Sequence, residues 1–297
     1  GKQASHPDVF ADFSTSETLM AKEMVKQSQN GYTLYSSRQF LYSLTASVVS
    51  GNVHYEPLFA PRDLPISPNR VLHGAAIYLE PREAGIYDLL GEYYPSAKFR
   101  EIMAPDGVDP ILYEVLINKQ QLIDSLGVRA TFNREGDLIK TDIFNDFSSS
   151  WSKDLPGIDF PADFVLQSNL HVRQPGLYQF KVSGDGQLFL DDISIQKNGE
   201  GIKLGIGLHS VRLEGVAHSE SGFTELLWSR DGSAMETISS TLLFSDERSP
   251  MGLAGVFYQE SQPLVSHVGL TADTFYYDPP IEGPYEAVWA GFLEIPL

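Results

Sequence analysis

The chain has 297 residues, 42% hydrophobic and 11% aromatic, with no cysteine and a formal net charge of −18. That length suits two or three domains, each able to bury its own core, and the missing cysteines exclude disulfides, thiolate zinc sites and cysteine nucleophiles. The acidic excess, without a long basic run, excludes nucleic acid as a partner, and no apolar stretch reaches the ~18 residues of a membrane span.

Residues 1–120 alternate helical and strand patterns. Ser14 and Glu17 have capping-box spacing. The helix that follows carries Leu19, Met20, Met24 and Val25 and stops at Asn30-Gly31. Tyr32 to Tyr35 is a short strand, and a second helix places Phe40, Leu41, Leu44 and Val48 on one face before Gly51-Asn52. Four prolines between Pro57 and Pro68 make a loop of turns. Ala75 to Leu79 reads as a buried strand. Pro81 then opens a helix with Ile86, Leu89, Leu90 and Tyr93 at helical spacing, and Pro95 ends it. Strands near 99–103 and 111–117 flank the turn Pro105-Asp106-Gly107. This alternation predicts a small three-layer α/β unit with a mixed sheet.

The texture changes near Leu126, and 121–248 is predicted to be an antiparallel β-sandwich. Leu177 to Val182 alternates, sending Tyr178, Phe180 and Val182 to one side and Gln179 and Lys181 to the other. Turn-rich segments separate the strands: Ser183 to Gly186, Asp191-Asp192 and Lys197 to Gly199. A third segment, 249–297, repeats the start of the second. Gly127 to Phe132 resembles Gly252 to Phe257 at an offset of 125, and Leu166 to Val172 resembles Trp289 to Ile295 at an offset of 123. The fold class expected is therefore α+β and multidomain: an α/β unit, a β-sandwich, and the opening of a second sandwich that stops at Pro296-Leu297.

The run Pro175 to Phe180, then Ser183 to Gly186, then Leu188 to Asp192, with Gly207 to Glu214 and Leu226 to Ser229 as later strands, resembles the protective-antigen-type β-sandwich. Members of that family are non-catalytic, lectin-like modules attached to glycosidases, glycosyltransferases, adhesins and toxins, and many recognise carbohydrate. In its sugar-binding members two adjacent aspartates hold calcium in the turn that corresponds to Ser183–Gly186. Here the pair reads Gly184-Asp185, one ligand short, so the expectation is no cofactor, with calcium in doubt. The segment from Ala75 to Gly85, with Tyr93-Tyr94-Pro95 and Ile111-Leu112-Tyr113, is similar to a soluble region of bacterial membrane glycosyltransferases of the dolichyl-phosphate-mannose type. That resemblance implies an extracytoplasmic portion, periplasmic or at the cell surface, reaching a membrane only through a segment upstream of Gly1.

No catalytic residue is expected. The seven histidines have no zinc spacing and no H-E-x-x-H, no G-x-S-x-G elbow occurs, and the glycines from 199 to 207 lack the third member of a dinucleotide fingerprint. Carboxylate pairs such as Glu80/Glu83 stay open as a glycosidase pair, because their separation is a tertiary property. The residues expected to bind carbohydrate or glycolipid are Asp185, Gln187, Asp191, Asp192 and Trp151. Carboxylates accept hydrogen bonds from sugar hydroxyls, and an indole face can stack on the ring. The alternative is that the aspartates only form turns, and that the region spaces or docks an enzyme.

Overall fold

A computed structural model describes residues 15–37, 40, 42–60, 62–104, 107–154, 157, 159–195, 201–245, 253–259, 262–269 and 284–290. They fall into two units, Gly1–Ser125 and Leu126–Leu297. Among the described residues β-structure dominates the chain as a whole, in four sheets with a few helices, most of them in the first unit. Leu41, Pro105-Asp106, the turn at Lys197–Gly199, Gly252 and the segment from Gly291 to Ile295 lie outside the described residues.

In the first unit, helix α1 (Thr15–Gln29) has Glu17 in its first turn and Lys26 in its last, matching the helix dipole. Its buried residues, Met20, Ala21, Met24 and Gln27, form one stripe. Gly31 ends it at φ +79°, where a side chain would also strike His73. Strand β1 (Thr33–Ser36) follows, and then α2 (Leu44–Ser50), whose N-cap Ser43 accepts a hydrogen bond from the Ala46 N–H. The expected apolar face of this helix is not what the chain builds. The cap at Ser43 leaves Phe40 outside the helix and buried, while Leu44 and Val48 are 82% and 78% exposed and Ala46 faces inward.

Strands β2 (Glu56–Pro57), β3 (Gly74–Leu79), β4 (Lys98–Met103) and β5 (Pro110–Asn118) complete a sheet in the order β2-β1-β3-β5-β4. β1 runs parallel to β2 and β3, whereas β5 is antiparallel to β3 and β4. Every residue of β3 is buried, as a central strand covered on both faces requires. Met20 and Met24 pack with Ala76, Tyr78 and Leu112 on one face. On the opposite face Tyr87 of α3 (Ala84–Tyr93) stacks on Tyr113 with ring centroids 4.4 Å apart. A final short helix, α4 (Lys119–Asp124), starts in a capping box between Asn118 and Gln121.

The second unit opens with β6 (Val128–Arg134), β7 (Asp137–Phe144), β8 (Ser149–Ser150), a helical turn α5 (Trp151–Asp154) and β9 (Ala162–Val172). It continues with β10 (Gly176–Gly184), β11 (Gln187–Leu190), β12 (Ile193–Ile195), β13 (Ile202–Leu204) and β14 (Gly207–Ala217). β15 (Phe223–Arg230), β16 (Glu236–Thr237) and β17 (Leu243–Phe244) follow. One antiparallel sheet runs β13-β10-β15-β16, with β8 also on β15. The other runs β12-β11-β14-β9-β6-β7, with β17 on β9. Tyr178, Phe180, Val182 and Leu226 of the first meet Phe164, Leu166, Leu170, Val211 and Leu213 of the second in a single core. The alternation along Leu177–Val182 is thus the pleat of β10, with its apolar side turned inward. Trp228 is half-buried against this core and stacks on Tyr178.

Three further strands, β18 (Leu253–Gln259), β19 (Gln262–Gly269) and β20 (Glu286–Ala290), form an antiparallel sheet in the order β19-β18-β20.

Candidate functional site

One end of the sandwich gathers the turn between β10 and β11, the loop between β14 and β15, and the start of α5. The first of these turns is tight. Gly184 has φ +80°, and a Cβ there would lie 2.1 Å from the Phe223 carbonyl oxygen, so only glycine fits. The close approach lets the Asp185 N–H donate to that same carbonyl at 3.0 Å. The Thr224 hydroxyl donates to the Asp185 carbonyl at 2.6 Å. Asp185 is therefore clamped to the first residues of β15 by its own backbone.

Its side chain is held by Trp151, whose indole N–H donates to Asp185 Oδ2 at 3.3 Å. Trp151 corrects the sequence-based expectation. It is fully buried, with its ring centroid 4.9 Å from that of Phe164 and 6.2 Å from that of Phe132, so no face is free to stack on a sugar. An indole plugging the end of an apolar core needs one acceptor for its N–H, and Asp185 supplies it. Gly222 closes the group: a Cβ there would sit 2.6 Å from Trp151 and 3.1 Å from the Asp185 carboxylate.

The aromatic ring that does face solvent is Phe223, 49% exposed and directly beside Gly184 and Asp185. Its signal in the sequence is slight: an aromatic residue immediately after the turn Ser219 to Gly222, at the head of a strand. Around it stand exposed Ser219, Glu220 and Ser221, with the Ser219 and Ser221 hydroxyls 3.2 Å apart, and Ser150, which pairs with Phe223 in the sheet. Half-exposed carboxylate, open ring and hydroxyl rim share one rigid edge. Such an edge can accept hydrogen bonds from a polyol and offer a flat apolar surface to its ring carbons.

Asp191 and Asp192 are elsewhere. They form the two-residue turn from β11 to β12, at φ +47° and +62°, the left-handed pair that matches hairpin twist. Asp191 accepts from the Ser210 N–H at 2.9 Å and lies 2.8 Å from His209 Nδ1, pinning the hairpin to β14. β11 separates this turn from Asp185, and six residues of strand span roughly 20 Å. The three aspartates do not converge on one ligand. Gln187 donates from its amide to the Ile195 carbonyl at 2.7 Å and to Ser194 Oγ at 3.1 Å, tying β11 to β12.

Among the described residues no group of three or more His, Asp or Glu side chains could hold a metal ion. The turn at Asp185 supplies a single carboxylate, already engaged by Trp151, and does not fit calcium's demand for six to eight oxygens. Glu80 and Glu83 do not face each other across a cleft. Glu83 accepts from the Glu80 N–H at 3.3 Å, and Glu80 pairs with Arg82 at 2.6 Å, one knot at the entry to α3. Burial pushes the Glu80 carboxyl up to about 7, against the pull of Arg82.

No protein-family model matches the chain, and a comparison with curated proteins finds no match. Solved structures give partial likenesses. An anti-sigma factor domain-containing protein is 23% identical at a TM-score of 0.37, over 41% of this chain and 49% of that one. The chain thus spans about half the length of that structure. A second anti-sigma factor domain-containing protein, from Clostridium clariflavum, is 15% identical at 0.37, over 58% and 70%. The PA14 sugar-binding domain from an RTX adhesin is 16% identical at 0.32, over 41% of this chain and 99% of that domain. Likeness at these TM-scores assigns this chain neither a family nor an activity.

Proposed function

We propose that the chain is a non-catalytic, extracytoplasmic accessory region that binds carbohydrate, or the sugar of a glycolipid, at the sandwich end around Asp185 and Phe223. The observation that carries this reading is the half-exposed Phe223 ring seated against the clamped Asp185 turn. A stacking surface beside an acceptor whose backbone is already clamped supplies the elements a sugar site needs and lowers the ordering cost of binding. Binding is expected without calcium. The context proposed is the outer portion of a membrane-anchored bacterial glycosyltransferase, in which a small three-layer α/β unit precedes a sandwich and the opening of a second. This rests on the sequence resemblance of Ala75–Tyr113, and the helices packed on both faces of the first sheet are consistent with it.

The test is a glycan array followed by calorimetry, with and without calcium. F223A is expected to abolish binding while leaving the fold intact. Silence across a broad panel, or unchanged affinity in F223A, overturns the reading.

A second reading, a spacer or protein-docking module, is favoured by the internal use of the Asp185 N–H, carbonyl and Oδ2. Under it, D185A and F223A alter stability alone, and no glycan is retained by the wild-type chain.

A further inference from the structure

β7 (Asp137–Phe144) is the last strand of its sheet and is paired along one side by β6. Residues 107–154, which include the turns at both of its ends, are all described, and the strand is open to water. Leu138 is 64% exposed, Ile139 40% and Ile143 50%, and Thr141 and Asp142 are exposed beside them. Three large aliphatic side chains along a strand edge invite another strand unless something covers them. Backbone groups face the same way. The Ile143 N–H donates to Oδ1 of its neighbour Asp142 at 2.9 Å, which marks it as turned away from β6. By the alternation of an antiparallel ladder, the N–H and C=O of Thr141 share that direction.

Laid antiparallel to itself, β7 is self-complementary. With Thr141 opposite the Thr141 of another copy, Lys140 faces Asp142, Ile139 faces Ile143 and Leu138 faces Phe144, each of them twice. Apolar meets apolar and each charge meets its opposite. The neighbouring registers do not match. Centring the pair one residue earlier sets Lys140 against Lys140, and one residue later sets Asp142 against Asp142.

We propose that β7 is the edge through which the chain pairs with a second copy of itself, strand against strand across a two-fold axis at Thr141, so that two sheets become one. The two threonines exchange a pair of backbone hydrogen bonds on the axis. In the single chain Lys140 Nζ lies 3.0 Å from Asp142 Oδ2, with both side chains partly exposed. An exposed pair of this kind contributes little, so it exchanges readily for the same pair made between copies. The Ile143 N–H then passes from the Asp142 carboxylate to a backbone carbonyl of the other copy. The register shift between Phe132 and Asn133 lies opposite Leu138–Lys140 and bends the strand there. Regular pairing is therefore short, and association is weak and concentration-dependent.

Sedimentation velocity of the full chain at rising concentration and low salt tests this. The wild type is expected to pass from monomer to dimer. K140D and D142K, each of which sets two like-charge pairs across the axis, should each associate roughly tenfold more weakly. An equimolar mixture of K140D with D142K should recover the wild-type dimer, because every facing pair is then of opposite sign, and a folding defect could not produce that recovery. The chain has no cysteine of its own. Thr141→Cys puts two sulfurs at the axis with Cα atoms about 5.5 Å apart, within disulfide reach. It should cross-link several-fold faster under mild oxidation than Asp142→Cys. A wild-type chain that stays monomeric, a mixture no better than either variant alone, or Asp142→Cys linking as fast as Thr141→Cys overturns the proposal.

Discussion

The indole N–H of Trp151 donates to Asp185 Oδ2 at 3.3 Å, joining residues 34 positions apart and on different elements. The bond turns a core side chain into the support of a surface carboxylate. Trp151→Phe keeps an aromatic plug and removes the donor, and is expected to cost about 1 kcal/mol. Trp151→Ala also empties the end of the core and should cost about 3–5 kcal/mol. Denaturant unfolding separates the two, and an undiminished stability in Trp151→Phe would show that the N–H contributes nothing.

Gly184 sets the distance between the Asp185 turn and β15. Gly184→Ala places a methyl 2.1 Å from the Phe223 carbonyl at φ +80°, so the turn must open. A loss of about 1–3 kcal/mol is expected, together with weaker glycan retention if Phe223 and Asp185 act as a pair. Unchanged thermal unfolding would contradict the close packing of the turn.

Asp192→Gly should stabilise the second unit by roughly 0.5–1 kcal/mol, because glycine adopts φ +62° without the side-chain penalty and Asp-Gly is a favoured hairpin pair. Glycan binding should not change, since this turn stands at the other end of β11. A changed affinity would place Asp192 in the site after all.

Glu80 makes the first unit sensitive to pH. The residue is 9% exposed and its carboxyl is raised to about 7, chiefly by burial, with the more exposed Arg82 opposing the effect and Glu83 adding to it. A carboxyl whose folded value lies above its unfolded value of about 4.5 favours folding below that value and loses this contribution as pH climbs towards 7. Stability should therefore fall between about pH 4.5 and pH 7. Glu80→Gln should flatten that slope and stabilise the unit by roughly 1–3 kcal/mol at neutral pH. Unfolding curves at several pH values decide it; an unaltered slope in the variant assigns the dependence to other groups.

Local patterns carried much of the architecture. The alternation Tyr178, Phe180, Val182 marks the pleat of β10, and the helical spacing of Leu89, Leu90 and Tyr93 marks the buried stripe of α3. Where a cap competes with such a pattern, the pattern fails. Ser43 starts α2 three residues after Phe40, so Phe40 enters the core while Leu44 and Val48 face outward.

The site was less legible. Its member aspartates were visible as turn formers, because residue type and neighbours set a turn. That Asp185 and Asp191 lie at opposite ends of β11, that Trp151 is interior and that Phe223 is the open ring were not visible. Those facts follow from pairings such as Gly184↔Thr224 and Ser150↔Phe223, between residues 40 and 73 positions apart. Sequence alone determined which segments would be strands and turns, since pleat, cap and left-handed backbone are short-range physics. Only the tertiary structure decided which loops share an end and which aromatic keeps a face in water, because burial is a property of the assembled sheets.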